Sequence, residues 1–373
     1  MLLTLLTLAQ AVERDDVAAY AVPLLSYDSN LLFGYGGFGQ VVLGDAGGDR
    51  PYLFSTELQL YWTTGGYRNH YLRFDLPKLL GSRFRWTLEA RTVSWSRAPY
   101  MGIGPEAPRR EGVDEEFYLY CQERNLLNTK LRYELVGDLE LLAMFDLRTE
   151  VVAPYPESLL LEDRPLGFEG GRYAWLAVGG VWDARDSEID SRQGQAVDAS
   201  VRTAQPWLGS DFDVFGVNAR WRGYHSPTDR LTLAGHAMVD LSWGEPFFDQ
   251  AYAGGMGRGV VGGRWMLKGL PEERYRGDSM VVLMPELRWT FWAPTIREAS
   301  TAWMLAPFVD AIEIWTWDEP TFAPKVTAGT GLRLNVKDLI VFRADLGAGL
   351  DEYEAEPHLR PLVQIYVLSD HPF

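Results

Sequence analysis

The chain has 373 residues, with Lys+Arg 35 against Asp+Glu 51, a formal net charge of -16 and aromatic residues at 13%. Such an acid excess, without a run of Lys or Arg, excludes a phosphate-backbone partner, so no nucleic acid is expected. Cys121 is the single cysteine, which rules out an internal disulfide framework and a cysteine-based metal site.

Residues 1–11, MLLTLLTLAQA, form an apolar run ending in a small-residue pattern, and they are expected to be a signal segment cleaved after Ala11, atypical in lacking a preceding Lys or Arg. No later apolar run approaches the roughly 18 to 20 residues of a spanning helix. A membrane crossing would therefore use strands, and the rich supply of Trp and Tyr favours strands as well.

Strands are expected near 20–27, 32–43, 52–62, 67–77, 82–95, 115–136, 139–151, 172–183, 194–204, 213–224, 231–243, 279–291, 303–315, 325–335, 338–349 and 360–368. Their evidence is alternation. In 52–62, Tyr52, Phe54, Leu58, Leu60 and Trp62 fall on one face and Ser55, Glu57 and Gln59 on the other, with Leu53, Thr56 and Tyr61 breaking the parity. Phe84, Trp86, Leu88 and Ala90 alternate with Arg83, Arg85, Thr87, Glu89 and Arg91. Phe215, Val217, Ala219 and Trp221 oppose Asn218, Arg220 and Arg222; Leu287, Trp289 and Phe291 oppose Glu286, Arg288 and Thr290.

A soluble sheet with its apolar face inward and an outer-membrane barrel with its apolar face toward lipid both produce this pattern. Runs of about ten residues with aromatics at their ends, about sixteen in number, favour the barrel. With both termini periplasmic, the long connections 96–114, 152–171 and 244–278 face outward and short turns face inward, which is the usual asymmetry. The expected fold class is all-β: one transmembrane antiparallel β-barrel domain over residues 12–373, with Phe54, Leu58, Phe84, Trp86, Trp221 and Trp289 facing lipid.

Enzyme signatures are weak. Gly34, Gly36 and Gly39 match G-x-G-x-x-G, as do Gly257, Gly259 and Gly262, but neither set opens a helix after a strand, the context that holds a pyrophosphate. His70, His225, His236, His358 and His371 show no metal spacing. No catalytic residue, metal or cofactor is assigned, and the chain is not expected to be an enzyme.

The stretch WMLKGLPEERYRGDS, followed by a strand containing PELRW, resembles the sixth-loop region of the BamA/TamA superfamily of outer-membrane barrels, also called bacterial surface antigen proteins. GGVWDARDSEIDSRQG resembles that family's D-x-R-D turn with a downstream glycine, at Asp183, Arg185, Asp186 and Gly194; PFVDA and TAGTGLRLNV resemble two of its later strands, and Phe373 its C-terminal assembly signal. The resemblance implies an inward-folded loop whose tip pairs with acids on the wall. The matching positions here are Lys268, Gly269 and Leu270, where the family has Arg, Gly and an aromatic, and the matching acids are Glu286 and Asp310. Arg274 and Arg276 are expected to meet other lumenal carboxylates, and Arg288 to share the same wall.

The resemblance further implies an outer-membrane location, outer-membrane lipid as surroundings, and a role in inserting or translocating polypeptide or lipid with a periplasmic or outer-membrane protein partner. Family members that do this usually carry periplasmic POTRA domains, for which the sequence before Tyr20 has no room. A passive channel for small solutes is the alternative.

Overall fold

The computed structural model describes residues 12–14, 17–44, 52–105, 110, 112–187, 190–248, 260–261, 266–296, 299–318, 320, 322–336, 340–350 and 363–368. The signal segment, Gly262 and Gly263, the second glycine motif, His358, His371 and Phe373 lie outside them.

Eighteen strands make one antiparallel sheet, of which Val12–Arg14 and Thr295–Ile296 are short appendages and sixteen are its staves. We number the staves β1 (Val17–Asp28), β2 (Leu32–Leu43), β3 (Phe54–Thr63), β4 (Tyr67–Leu76), β5 (Phe84–Pro99), β6 (Leu119–Val136), β7 (Leu139–Pro154) and β8 (Gly170–Asp183). They continue as β9 (Gly194–Ala204), β10 (Asp213–Thr228), β11 (Leu231–Glu245), β12 (Ser279–Trp292), β13 (Ala299–Trp315), β14 (Lys325–Val336), β15 (Ile340–Gly349) and β16 (Val363–Leu368). Each pairs with its sequence neighbours, and the two ends of the series meet where Tyr27 lies opposite Val367 and Asp28 opposite Tyr366. The strand expectations correspond to these staves one for one.

Side-chain direction follows the period-2 pattern. Leu58, Phe84, Trp221 and Trp289 are exposed on the outer face, and Phe54 and Trp86 lie on the same parity half-covered by neighbouring strands. The inner face carries buried polar groups such as Asp75, Glu89, Asp146, Arg148, Asp198, Arg202, Asp240, Glu286, Arg333 and Asp345. A sheet that is apolar outside and ionic inside is the inverse of a soluble sandwich, and it suits a lipid surround.

Two assignments in 52–62 need correcting. Tyr52 precedes β3, and its hydroxyl donates to Asp75 Oδ2 at 2.6 Å, so it belongs to the ionic wall and not to an outer aromatic belt. Tyr61 does not break the parity: it faces inward, buried, with its hydroxyl 2.6 Å from Ser26 Oγ. The first glycine motif lies within β2, where a Cβ on Gly36 would come 2.1 Å from the Leu60 carbonyl oxygen. Close strand packing accounts for that glycine, and no helix begins there.

Antiparallel order places the connections 100–118, 155–169 and 246–278 at one end of the sheet and short turns, such as 137–138 and 229–230, at the other. At the long-loop end the connections are packed rather than splayed. Tyr100, Met101, Tyr118, Leu159, Leu160, Phe212, Phe247 and Phe248 are buried together with Trp95, Tyr120, Tyr173 and Trp175 from the staves. The cluster is an apolar roof spanning four connections, the fourth being 205–212, which supplies Phe212.

Candidate functional site

The tip of the 246–278 connection descends beneath this roof and seats against the wall. Lys268 is fully buried, and its Nζ lies 3.0 Å from Asp310 Oδ2 on β13, an inward position on the strand's polar parity. The Lys268 backbone N–H donates to the same carboxylate at 3.0 Å. The Phe308 ring, two residues along β13, lies 4.1 Å below the ammonium. A buried charge is tolerated when it is paired and hydrogen-bonded, and here one carboxylate and one aromatic face supply both.

Gly269 fixes how closely the tip approaches. Its φ of +121° is a conformation that side chains rarely adopt, and a Cβ there would meet the backbone N of Ala348 at 2.4 Å. A Cβ on Gly347 would in turn strike the Lys268 carbonyl oxygen at 2.3 Å. Two glycines on facing chains thus bring backbone against backbone. Leu270, buried, fills the space beside Gly349, in a cluster with Leu267, Tyr275, Met280, Met284, Ile312 and Ile314. An aliphatic side chain occupies the position where the resemblance implies an aromatic, and it sits in an apolar setting.

Glu286, the other candidate acid for Lys268, is engaged elsewhere. Its Oε1 accepts from Arg288 Nε at 2.8 Å and its Oε2 from Arg333 Nη2 at 2.9 Å. Arg333 continues to Asp345 at 2.5 Å, with Arg343 at 3.6 Å beyond. The wall on β12, β14 and β15 is therefore an ionic ladder flanking the Lys268–Asp310 pair.

Arg276 meets a carboxylate of its own loop. Its guanidinium donates to the Pro99 carbonyl at 2.8 Å and to Glu273 Oε2 at 2.9 Å, within its own loop, and stacks over Tyr100 and Phe248. It pins the descending loop to the roof, helped by the Gly104 N–H, which donates to the Arg276 carbonyl at 2.7 Å. Arg274 lies over the Tyr275 ring at 4.7 Å. Nearby, burial pushes the Tyr100 hydroxyl above the usual phenol range, and Asp163, which accepts its hydrogen bond at 3.2 Å, adds to the shift.

At the opposite end, Asp183, Arg185, Asp186 and Gly194 build the turn 184–193. Arg185 clamps Asp183 with bonds of 2.8 and 2.6 Å, the Arg192 N–H donates to Asp186 Oδ1 at 2.9 Å, and Gly194, at φ +91°, leaves room for the Ala184 carbonyl. The turn also makes a contact that its own residues do not announce. Asp190 accepts a hydrogen bond from Asn335 on β14 and lies 3.7 Å from Arg288 on β12. Those strands are not sheet neighbours of β8 or β9, so the turn reaches them across the lumen as a strap. The contact spans 145 residues of sequence, and nothing local in a turn signals it.

Among the described residues no group of His, Cys, Asp and Glu is arranged to hold a metal ion. His236 is buried on the inner wall, while His70 packs on Trp62 at 4.7 Å on the outer face.

The Omp85 superfamily domain matches residues 174–358, the half that contains the turn, the loop tip and the ionic ladder. No curated protein sequence matches the chain significantly. In fold, the chain is similar to BamA from Haemophilus ducreyi lacking POTRA domains 1-3, with TM-score 0.60 and 15% identity over 96% of this chain and 70% of that one. CdiB from Escherichia coli gives 0.59 at 13% identity over 97% of this chain and 64% of that one. CdiB from Acinetobacter baumannii gives 0.57 at 13% identity over 97% and 60%. The chain thus spans less than two thirds of either CdiB chain, and at these identities the likeness is one of fold. The chain thus carries an Omp85 superfamily domain over residues 174–358, shares the fold of these barrels over nearly all its length, and is a β-barrel of the outer membrane.

Proposed function

We propose that the barrel assists the insertion or translocation of polypeptide at the outer membrane, and that it is not a passive pore. The observation that carries this reading is the seated loop tip: Lys268, Gly269 and Leu270 occupy the lumen side of β13 and β15, under a roof that packs four connections together. A bore filled by the chain's own buried ion pair, with an aromatic cluster above it, is built to stay shut until something displaces it. A solute channel keeps its polar wall hydrated and open.

The Omp85 superfamily domain at residues 174–358 supports the same reading, since the resemblance implies this class of activity. A protein partner that delivers substrate belongs to the proposal. The test is reconstitution. Vesicles containing the purified barrel should accelerate the folding of a small unfolded outer-membrane barrel substrate relative to empty vesicles, while planar bilayers show low, flickering conductance. Steady conductance without acceleration would replace this reading with the passive channel.

A further inference from the structure

The outer face is not apolar to the same height all the way round. On β10 and β11 the outward parity stays apolar up to Phe215 and Trp243, which lie opposite each other close to the ends of those staves. On β4–β8 a polar row crosses the outer face well short of the stave ends. His70, Thr92, Asn125, Thr149 and Arg172 stand opposite one another on consecutive strands, with Thr92 and Asn125 near the middle of β5 and β6. The next outward row toward the short-turn end, Leu58, Leu72, Ala90, Leu127 and Leu147, has no polar member. Ala90 is its smallest side chain, and over it lies a groove of about 360 Å³ lined by Leu58, Leu72, Ala90, His70, Thr92 and Asn125. One half of the groove is aliphatic and the other is polar.

The polar half presents donors that the protein leaves unused. The Thr92 hydroxyl donates to Asn125 Oδ1 at 2.8 Å, which turns the Nδ2 hydrogens away from Thr92. His70 Nδ1 accepts from the Tyr61 N–H at 3.2 Å, so the ring proton sits on Nε2. Among the described residues neither Asn125 Nδ2 nor His70 Nε2 has a hydrogen-bond partner. A donor left unpaired beside hydrocarbon costs free energy, which favours an acceptor supplied by the surroundings. One step along β4, about 7 Å nearer the long-loop end, the exposed Arg68 lies opposite Trp62 and Ser94. Among the described residues Arg68 has no ion-pair partner. Glu123, the acid on that row, stands beyond Ser94, two strands and roughly 10 Å away.

We propose that this face binds a glycerophospholipid of the leaflet at the long-loop end. One acyl chain lies in the groove over Ala90, the ester carbonyl accepts from the Asn125 Nδ2–H and the His70 Nε2–H, and the phosphate pairs with the Arg68 guanidinium. Dent, donors and cation follow one another along the strands in the order of chain, ester and phosphate in such a lipid, whose ester and phosphate are only a few bonds apart. One dent and one cation suit one chain and one phosphate, which assigns a glycerophospholipid rather than a glycolipid with several of each. Guanidinium and phosphate pair through charge-assisted hydrogen bonds, which are the stronger ones. The site is separate from the loop tip, and it stands whether or not the barrel handles polypeptide.

The probes are phosphatidylglycerol and diacylglycerol, each carrying a photoreactive diazirine on one acyl chain, offered at low mole fraction to the full chain in dodecyl maltoside micelles. Peptide mass spectrometry maps the cross-links. The phosphatidylglycerol probe should label 67–99 severalfold more than 279–292, another stretch with an apolar outward parity, and the diacylglycerol probe should label 67–99 severalfold less. Arg68→Gln should reduce phosphatidylglycerol labelling of 67–99 to the diacylglycerol level, and Asn125→Leu should weaken it. Ala90→Phe, which fills the dent, should abolish the preference for 67–99. Heat-modifiable migration on gels verifies that each variant is a folded barrel. Phosphatidylglycerol cross-links spread evenly over the outer face, equal labelling of 67–99 by the two probes, or a pattern unchanged in Arg68→Gln or in Ala90→Phe would each overturn the assignment.

Discussion

Lys268 and Asp310 are almost completely removed from solvent, so what happens when one is deleted depends on the charge left behind. Lys268→Ala leaves a buried carboxylate without its cation, a change that costs about 3–5 kcal/mol. The expected outcome is a loosened loop, read as faster cleavage of the 246–278 connection by added protease and as higher bilayer conductance. Lys268→Arg should behave as wild type or better, because a guanidinium can serve both Asp310 carboxylate oxygens and still lie over Phe308. Gly269→Ala tests backbone geometry without touching charge. A methyl group 2.4 Å from the Ala348 nitrogen cannot be absorbed by a side-chain rotation, so the tip should unseat as fully as in Lys268→Ala. If Gly269→Ala matches wild type in protease sensitivity, the close approach of tip and wall is wrong. Which acid Lys268 would choose was not legible in the sequence. Glu286 and Asp310 share inward parity, and only the cross-strand neighbours, with Arg333 beside Glu286, separate them.

The strands were the most legible elements, because alternation over ten or more residues survives local exceptions; Leu283, Leu287, Trp289 and Phe291 fix the outer face of β12 despite Pro285 in their midst. Charged replacements on that face, such as Leu283→Arg, should destabilise the inserted barrel by about 2–4 kcal/mol near the midplane and less toward the ends. Cysteine scanning along β12 with a water-soluble maleimide checks this. The outer parity should remain unlabelled in membranes, and labelling there would restore the soluble alternative. The roof was illegible for the opposite reason. Tyr100, Tyr118, Phe212, Phe247 and Phe248 lie in connections with no periodicity, where sequence alone does not tell a packed loop from a solvated one. Arg276→Ala removes the bonds to Pro99 and Glu273 together with two aromatic contacts, worth about 2 kcal/mol or more in a desolvated setting. Increased cleavage in loop 100–118, remote in sequence from the substitution, is the expected signature. Cleavage confined to 266–278 would show that Arg276 does not join the two loops.

For the molecule as a whole, the fold places a roof at one end of the lumen, a strap at the other and the loop tip between them. The ladder Asp190–Arg288–Glu286–Arg333–Asp345 runs from the strap up the wall that flanks the tip. Topology was readable from strand count and loop asymmetry, whereas contacts across the lumen depend on the barrel's curvature, which no stretch of sequence encodes by itself. The central claim is that the loop tip resides inside the barrel, and proximity of residues 268 and 310 in native outer membranes tests it most directly. Cysteines placed at both positions, with Cys121 replaced by Ala, should be joined by a short bifunctional maleimide reagent, and position 268 should resist an impermeant maleimide added from outside. Absence of the cross-link, with ready labelling of position 268 from outside, would contradict the account and place the tip free above the barrel.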